Sequence, residues 1–412
     1  MSANSTSAPL WRNRDFVVLQ SGQLVSYVGD SLQLIALPLL ALALTGSAAG
    51  AGVVLGLNTA SVLVTSLLAG ALIDRWNRRR VMIVCDACRV VAIGSVAVAL
   101  WLGHLTLAQL VCAVLVAGVL GTCFGIAATA AVPSLVGPED VGRALAASQM
   151  AYGAVRPFNS LIGAALYAVG QAVPFAANAL SFAVSALSLG LIRGSLQPGR
   201  DSAPATGGVV HEATAGLRWL WERPLLRFLS VIDGADKLRY GAGYLVIIVL
   251  AQRVHTPTQG IGAIFTAAGL GALLGNAAGA WARRRFALGT ITVAMLWAEA
   301  VMFPLYAIAP NAVLMGLIAA AEEFVAPIYT IAAGTMRLMA APDSLRGRVT
   351  SAVQLVTRGA QSLGALAGGF LISSLGPVTS ALVLGGWLIA LAIVTTANAR
   401  VRTATDPTAA PS

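Results

Sequence analysis

Twelve long apolar runs, joined by short loops, constrain this chain more than any other feature. A helix needs about 20 mostly apolar residues to cross a membrane. The runs cover residues 16–43, 50–73, 81–102, 107–131, 143–168, 174–193, 224–252, 259–282, 288–308, 312–338, 347–374 and 378–398. Only 10% of the 412 residues are charged, against about 25% in soluble domains. We therefore predict an all-α membrane protein with twelve transmembrane helices embedded in the lipid bilayer.

The placement of arginines predicts the orientation of these helices. The N-terminal tail, the even-numbered loops and the C-terminal tail hold twenty arginines, whereas the opposite loops hold Arg253 alone. Loops rich in Lys and Arg stay on the cytoplasmic side. The sequence thus predicts a bacterial cytoplasmic membrane protein with both termini in the cytoplasm. Because the basic residues form short clusters between apolar runs, the net charge of +10 does not indicate nucleic-acid binding.

The two halves of the chain repeat a short sequence motif. Gly142-Arg143 is followed by Gln149, and Gly347-Arg348 is followed at the same interval by Gln354. A polar stretch rich in Gly, Ser, Pro, Ala and Thr lies between the sixth and seventh runs and has the composition of a flexible linker. The predicted units are an N-terminal tail (1–15), a six-helix half (16–193), a linker (194–223), a second six-helix half (224–398) and a C-terminal tail (399–412). We expect the halves to be pseudo-symmetric.

The loop between the second and third runs carries a dense charge pattern. It reads Asp74-Arg75-Trp76-Asn77-Arg78-Arg79-Arg80, and Gly70 precedes it by four residues. This pattern resembles the loop 2–3 signature of the major facilitator superfamily, G-x-L-x-D-R-x-G-R-R. Further segments resemble the drug:proton antiporter branch of that superfamily, which contains macrolide and enterobactin exporters: Gly29-Asp30, Asp86-Ala87-Cys88-Arg89, Gly216 to Trp221 and Pro342 to Val349.

The resemblance implies a twelve-helix transporter whose halves are related by an axis along the membrane normal. It also implies that Asp74 caps the N-terminus of helix 11 near Gly347, where the helix dipole favours negative charge. Arg78 and Asp86 are then candidates for an accompanying charge network. The predicted gating residues are Gly70, Asp74, Arg75, Arg78, Asp86, Arg89, Gly347 and Arg348.

Acidic residues lie at mid-depth in three of the four helices that, by this resemblance, line the central cavity. A charge at that depth costs about 2.5–3.5 kcal/mol, so it should face a cavity or a partner. The predicted residues for proton or substrate coupling are Asp30, Asp236, Glu322 and Glu323. Asp30 comes first, because desolvation of a lone carboxylate disfavours its charged form and lets it exchange a proton. The alternative is a packing carboxylate bonded to Ser26 or to a neighbouring helix.

Basic residues in the same runs have two interpretations. Lys237, Arg239, Arg156 and Arg358 either bind an anionic group of a substrate in the cavity or pair with a carboxylate. Asp233 and Lys237 are one helical turn apart, which favours internal neutralisation. Glu322 and Glu323 point about 100° apart on a helix, so at most one faces the cavity squarely. Glu299 in helix 9 is expected to be structural.

These patterns indicate transport rather than catalysis. The sequence has no catalytic triad, no phosphate-binding glycine loop and no metal-ligand spacing, so we predict no enzyme, no cofactor and no metal. We expect a monomeric secondary transporter that exports a small amphipathic compound, such as a drug, an antibiotic or a similar metabolite, in exchange for protons. The alternatives are an importer or facilitator, a siderophore exporter, and a membrane scaffold that transports nothing.

Overall fold

The computed structural model describes residues 10–73, 76–197, 216–342 and 345–402. Twelve long helices account for most of these residues, and each corresponds to one predicted apolar run, so the predicted all-α fold is confirmed. They are α1 (Arg14–Thr45), α2 (Ala48–Ile73), α3 (Arg78–Trp101), α4 (Leu107–Leu135), α5 (Val141–Val169), α6 (Val173–Leu191), α7 (Pro224–Arg253), α8 (Thr258–Arg285), α9 (Leu288–Met302), α10 (Ala312–Ala340), α11 (Arg346–Leu375) and α12 (Pro377–Ala397).

Side chains in the loops define several helix ends. The side-chain oxygens of Asn13, Asn77, Thr106 and Asn311 accept hydrogen bonds from the first turns of α1, α3, α4 and α10. Such caps satisfy backbone N–H groups that have no partner inside the helix. At the other end of α1, Gly46 adopts a left-handed conformation with φ of 61°, and its N–H donates to the carbonyl of Leu42. Loops of one to five residues therefore connect most neighbouring spans within each half.

Nine of the described helices are apolar and long enough to cross a membrane on their own composition. The other three long helices, α5, α7 and α11, carry charged residues near their middles: Arg156 in α5, Asp236 in α7 and Arg358 in α11. These same helices pack against the opposite half or against each other. Their polar residues therefore face other protein segments or the space between the halves, as expected for ionisable groups at membrane depth.

The packing of α1–α6, here called the N-terminal half, is repeated in α7–α12, the C-terminal half. In the N-terminal half α1 packs on α5 and α6, α2 on α4, and α3 on α4 and α6. In the C-terminal half α7 packs on α11 and α12, α8 on α10, and α9 on α10 and α12. The halves meet mainly through α2 with α11 and α5 with α8. The main helix contacts of one half thus have counterparts in the other.

The halves approach most closely at the end of the bundle remote from the arginine-rich loops. A Cβ atom on Gly369 of α11 would lie 2.5 Å from the carbonyl oxygen of Ala48 in α2, so only glycine allows this approach. Ser373 Oγ accepts a hydrogen bond from the Ala49 N–H at 2.9 Å. Between α7 and α1, the hydroxyl of Tyr244 donates to the Leu34 carbonyl at 2.7 Å. We call this set of contacts the seam.

Candidate functional site: two charge networks at mid-depth

Asp30 of α1 forms an ion pair in the N-terminal half. Arg89 of α3 donates from Nη2 to Asp30 Oδ2 at 2.5 Å and from Nη1 to Asp86 Oδ1 at 3.1 Å. Phe182 of α6 stacks under the guanidinium, 3.6 Å from its central carbon, and Asn178 donates to the other Asp30 oxygen at 3.4 Å. The description of Asp30 as a lone carboxylate is therefore wrong, while its role in coupling stays a prediction.

Exposure separates the two carboxylates of this network. The Asp30 side chain is 47% exposed, whereas Asp86 is completely buried. Asp86 Oδ2 has no hydrogen-bond partner within the described residues, and the Ser185 hydroxyl of α6 faces this carboxyl. A proton or cation can thus reach the Asp30 carboxylate directly from the surrounding space, whereas it can reach Asp86 only if the helices move.

Arg239 of α7 is the centre of a larger network in the C-terminal half. Its Nη2 donates to Asp236 Oδ1 at 2.8 Å and to Glu299 Oε2 of α9 at 2.9 Å. Its Nη1 donates to Glu322 Oε1 of α10 at 2.5 Å. Lys237 lies at the edge, with Nζ 3.2 Å from Asp236 Oδ2. All three carboxylates and the guanidinium are at most 8% exposed, so this network is sealed from water.

Glu322 and Glu323 point to different surroundings, as their adjacency on one helix predicts. Glu322 is buried against Arg239 and accepts a hydrogen bond from the Tyr306 hydroxyl at 3.3 Å. Glu323 is only half-buried and lies near Tyr240 and Lys237 on its own half and Arg156 of α5 on the other. Glu323 is therefore the one that faces the space between the halves.

The remaining predicted cations occupy different places. Arg156 and Arg358 are both exposed. Arg156 acts on Glu323 across the interface, whereas Arg358 has no ion pair in the part of the chain that the structure describes. Asp233 pairs with Arg337 of α10 at 3.1 Å, which corrects the expected neutralisation of Asp233 by Lys237.

The repeat of the chain places Asp30 and Asp236 at matching positions. Asp236 follows Asp30 by 206 residues, and Gly347 follows Gly142 by 205. Both aspartates lie on the first helix of their half, and both bind an arginine that also holds a second carboxylate. Each half thus has the same arrangement, in which one arginine forms ion pairs with more than one carboxylate.

The predicted gating residues fall into three groups. Asp74 and Arg75 lie outside the described residues, and Gly70 lies in α2. Arg78 donates to the carbonyl of Ala130 at 2.7 Å, so among the described residues it holds the end of α4. Gly347 and Arg348 lie in the first turn of α11. Asp86 and Arg89, predicted as part of this network, lie at mid-depth with Asp30.

Glu299, expected to be structural, is a carboxylate at mid-length of an apolar helix, and the sequence indicates no partner for it. The structure brings it to Arg239, 60 residues away along the chain. Within the described residues, no group of three or more His, Cys, Asp or Glu side chains is placed to hold a metal ion.

Comparison with known proteins identifies the family. The family model described as Major Facilitator Superfamily matches residues 20–233. The chain belongs to the major facilitator superfamily. Over 389 residues it is 30% identical to the multidrug efflux pump Tap of Mycobacterium tuberculosis strain H37Rv, covering 90% of this chain and 88% of the pump. It is 27% identical over 397 residues to the multidrug efflux pump Tap of Mycolicibacterium fortuitum, covering 92% of this chain and 94% of that pump.

Solved structures agree on the fold. The crystal structure of the nucleoside transporter NupG superposes with a TM-score of 0.74 at 13% identity, covering 93% of this chain and 98% of that one. At this identity the likeness shows the architecture and not the substrate. This superfamily member is therefore a multi-pass bacterial membrane protein with the twelve-helix fold that the sequence predicts.

Proposed function

We propose that this protein is a monomeric secondary transporter that exports small amphipathic compounds of the drug or antibiotic type in exchange for protons. The observation that carries the proposal is the match, over nine-tenths of the chain, to proteins that are multidrug efflux pumps. We place it in the cytoplasmic membrane with both termini in the cytoplasm, since the arginines favour that side.

Asp30 supports coupling between a proton and a substrate. Its carboxylate is bound on one side by Arg89 and is 47% exposed on the other. A proton or a cationic group of a substrate competes with Arg89 for the same oxygens, so binding of one weakens binding of the other. Asp236, Glu322 and Glu323 in the C-terminal half are the next candidates for coupling, with Lys237, Arg239, Arg156 and Arg358 as their ion-pair partners or as contacts for the substrate.

The seam supports alternating access by rocking of the two halves. Residues 16–193 and 224–398 act as the moving units, and the linker 194–223 joins them. The tight contacts of Gly369 and Tyr244 close the arginine-poor end, which is the outer end in the proposed topology. Asp74 at the N-terminus of α11 then stabilises the opposite, outward-facing state.

Efflux in whole cells tests the proposal. Expression in a pump-deficient host should lower the accumulation of a fluorescent amphipathic cation such as ethidium, and an uncoupler should abolish the effect. Asp30→Asn should lose this efflux. Asp140→Asn is the matched control, because Asp140 pairs with Arg143 at the start of α5, far from the network. The coupling role is wrong if Asp30→Asn exports as well as the control.

The orientation needs its own measurement. Alkaline phosphatase is active only outside the cytoplasm and green fluorescent protein fluoresces only inside it. Fusions at the C-terminus should therefore fluoresce and lack phosphatase activity, whereas fusions in the loop at His255 should do the reverse. Active phosphatase at the C-terminus would contradict the proposed topology.

A further inference from the structure

The C-terminal network holds more acids than bases. Arg239 contacts the carboxyl groups of Asp236, Glu299 and Glu322, and Lys237 adds one further cation at the edge. If all three acids were ionised, two positive charges would face three negative ones, and the three carboxylates are at most 8% exposed. An uncompensated buried charge is so costly that the group becomes neutral instead. One of the three carboxyls therefore carries a proton.

The contacts indicate which acid this is. Glu322 accepts a hydrogen bond from Arg239 Nη1 at 2.5 Å, and neither Asp236 nor Glu299 shares this donor. Glu322 also accepts a hydrogen bond from the Tyr306 hydroxyl. Asp236 is bound by both Arg239 and Lys237. Glu299 has only a share of Arg239 Nη2, which also binds Asp236. The carboxyl with the least positive charge around it, Glu299, is the one that is neutral at lowest cost.

The N-terminal network has the same imbalance on a smaller scale. Arg89 is one cation between Asp30 and Asp86. Asp30 is 47% exposed, so water stabilises its negative charge. Asp86 is fully buried, and its Oδ2 atom has no hydrogen-bond partner within the described residues. A proton on Oδ2 removes the charge that burial penalises.

We infer that each half stores one exchangeable proton, on Asp86 in the N-terminal half and on Glu299 in the C-terminal half. The acids that face the cavity, Asp30 and Glu323, are then the groups through which these protons pass, rather than the places where they are held. The use of these protons in transport rests on the proposed antiport. Their presence in the resting protein does not.

The surroundings of both acids contain few other titratable groups. Around Glu299, α7 supplies Asp236, Lys237 and Arg239, α10 supplies Glu322, the turn after α9 supplies Tyr306, and α12 has no titratable side chain. Around Asp86, α1 supplies Asp30, α3 supplies Arg89 and Cys85, α4 has cysteines as its titratable side chains, and α6 has none. Each proton thus belongs to one network.

Infrared spectroscopy measures these protons without a substrate. The purified full-length protein, reconstituted in liposomes, should show absorption from protonated carboxyl groups at neutral pH, and this absorption should disappear on alkaline titration. Glu299→Gln and Asp86→Asn should each remove one contribution, and the double variant should remove both. Asp233→Asn is the matched control, because its buried carboxylate is balanced by Arg337 and should contribute nothing.

Stability separates a protonated acid from a lost ion pair. A glutamine is nearly isosteric with a protonated glutamate, so Glu299→Gln should unfold at the same denaturant concentration as the wild type. An ionised Glu299 would instead make this variant clearly less stable, which would overturn the inference, as would an unchanged carboxyl absorption in Glu299→Gln and Asp86→Asn. If both variants lose the predicted carboxyl absorption but efflux is accompanied by no proton flux, the antiport proposal is wrong and the inference of two stored protons still stands.

Discussion

Replacing Arg239 by methionine removes the guanidinium that Asp236, Glu299 and Glu322 share, while keeping a flexible apolar side chain of similar length. The network loses hydrogen bonds of 2.5, 2.8 and 2.9 Å in a site that is at most 8% exposed. Removing one partner of a buried ion pair costs about 3–5 kcal/mol. At about 1.4 kcal/mol per factor of ten, the unfolded fraction should rise about 10²- to 4 × 10³-fold.

Reversible unfolding in mixed detergent, followed by tryptophan fluorescence, measures this change. Arg253→Met is the control, because Arg253 is exposed at the end of α7 and loss of a surface charge costs at most about 1 kcal/mol. Adding Glu322→Gln to Arg239→Met should recover part of the stability, since it removes one of the carboxylates left without a partner. If Arg239→Met and Arg253→Met unfold alike, the network does not bear on stability as we argue.

Three further changes test the packing around these networks. Gly369→Leu should open the seam, because even the Cβ atom of the new side chain would lie 2.5 Å from a carbonyl oxygen of α2. A cysteine introduced at the outer end of α11 should then be labelled more by a membrane-impermeant reagent. Gly386→Leu is the control and should leave the labelling unchanged, because a Cβ atom at that position has no neighbour within 4 Å. Tyr244→Phe loses the hydrogen bond to the Leu34 carbonyl and should weaken closure of the seam by about 1 kcal/mol. Labelling of the same cysteine should therefore increase, but less than in Gly369→Leu. Arg78→Gln leaves the carbonyl at the end of α4 without its donor and should lower thermal stability by about 1 kcal/mol.

The helices could be predicted because each depends on local composition. Twenty or so apolar residues in a row suffice for a membrane span, and asparagine or threonine caps mark several starts. Asp86 and Arg89 could also be paired from the sequence, since three residues separate them on one helix.

The networks could not be predicted, because their members meet through packing. Arg89 and Asp30 are 59 residues apart and belong to α3 and α1, and Arg239 and Glu299 are 60 residues apart. Which face of α9 turns inward depends on its contacts with α10 and α12, and nothing local in the α9 sequence sets those contacts. The sequence contained the charges but not the geometry that pairs them.

The two halves repeat one packing arrangement but bury their matching acids to different extents. Asp30 and Asp236 occupy matching positions, yet the Asp30 side chain is 47% exposed and that of Asp236 only 2%. The sequence shows the same asymmetry, since Asp74 after α2 has no counterpart beside Arg283 at the end of α8. Asp30 and Glu323 face the cavity and can meet a substrate, whereas Asp86 and Glu299 are buried and hold the inferred protons. Coupling needs both kinds of acid, and each half supplies one of each. The cavity-facing acid lies on the first helix in the N-terminal half but on the fourth helix in the C-terminal half.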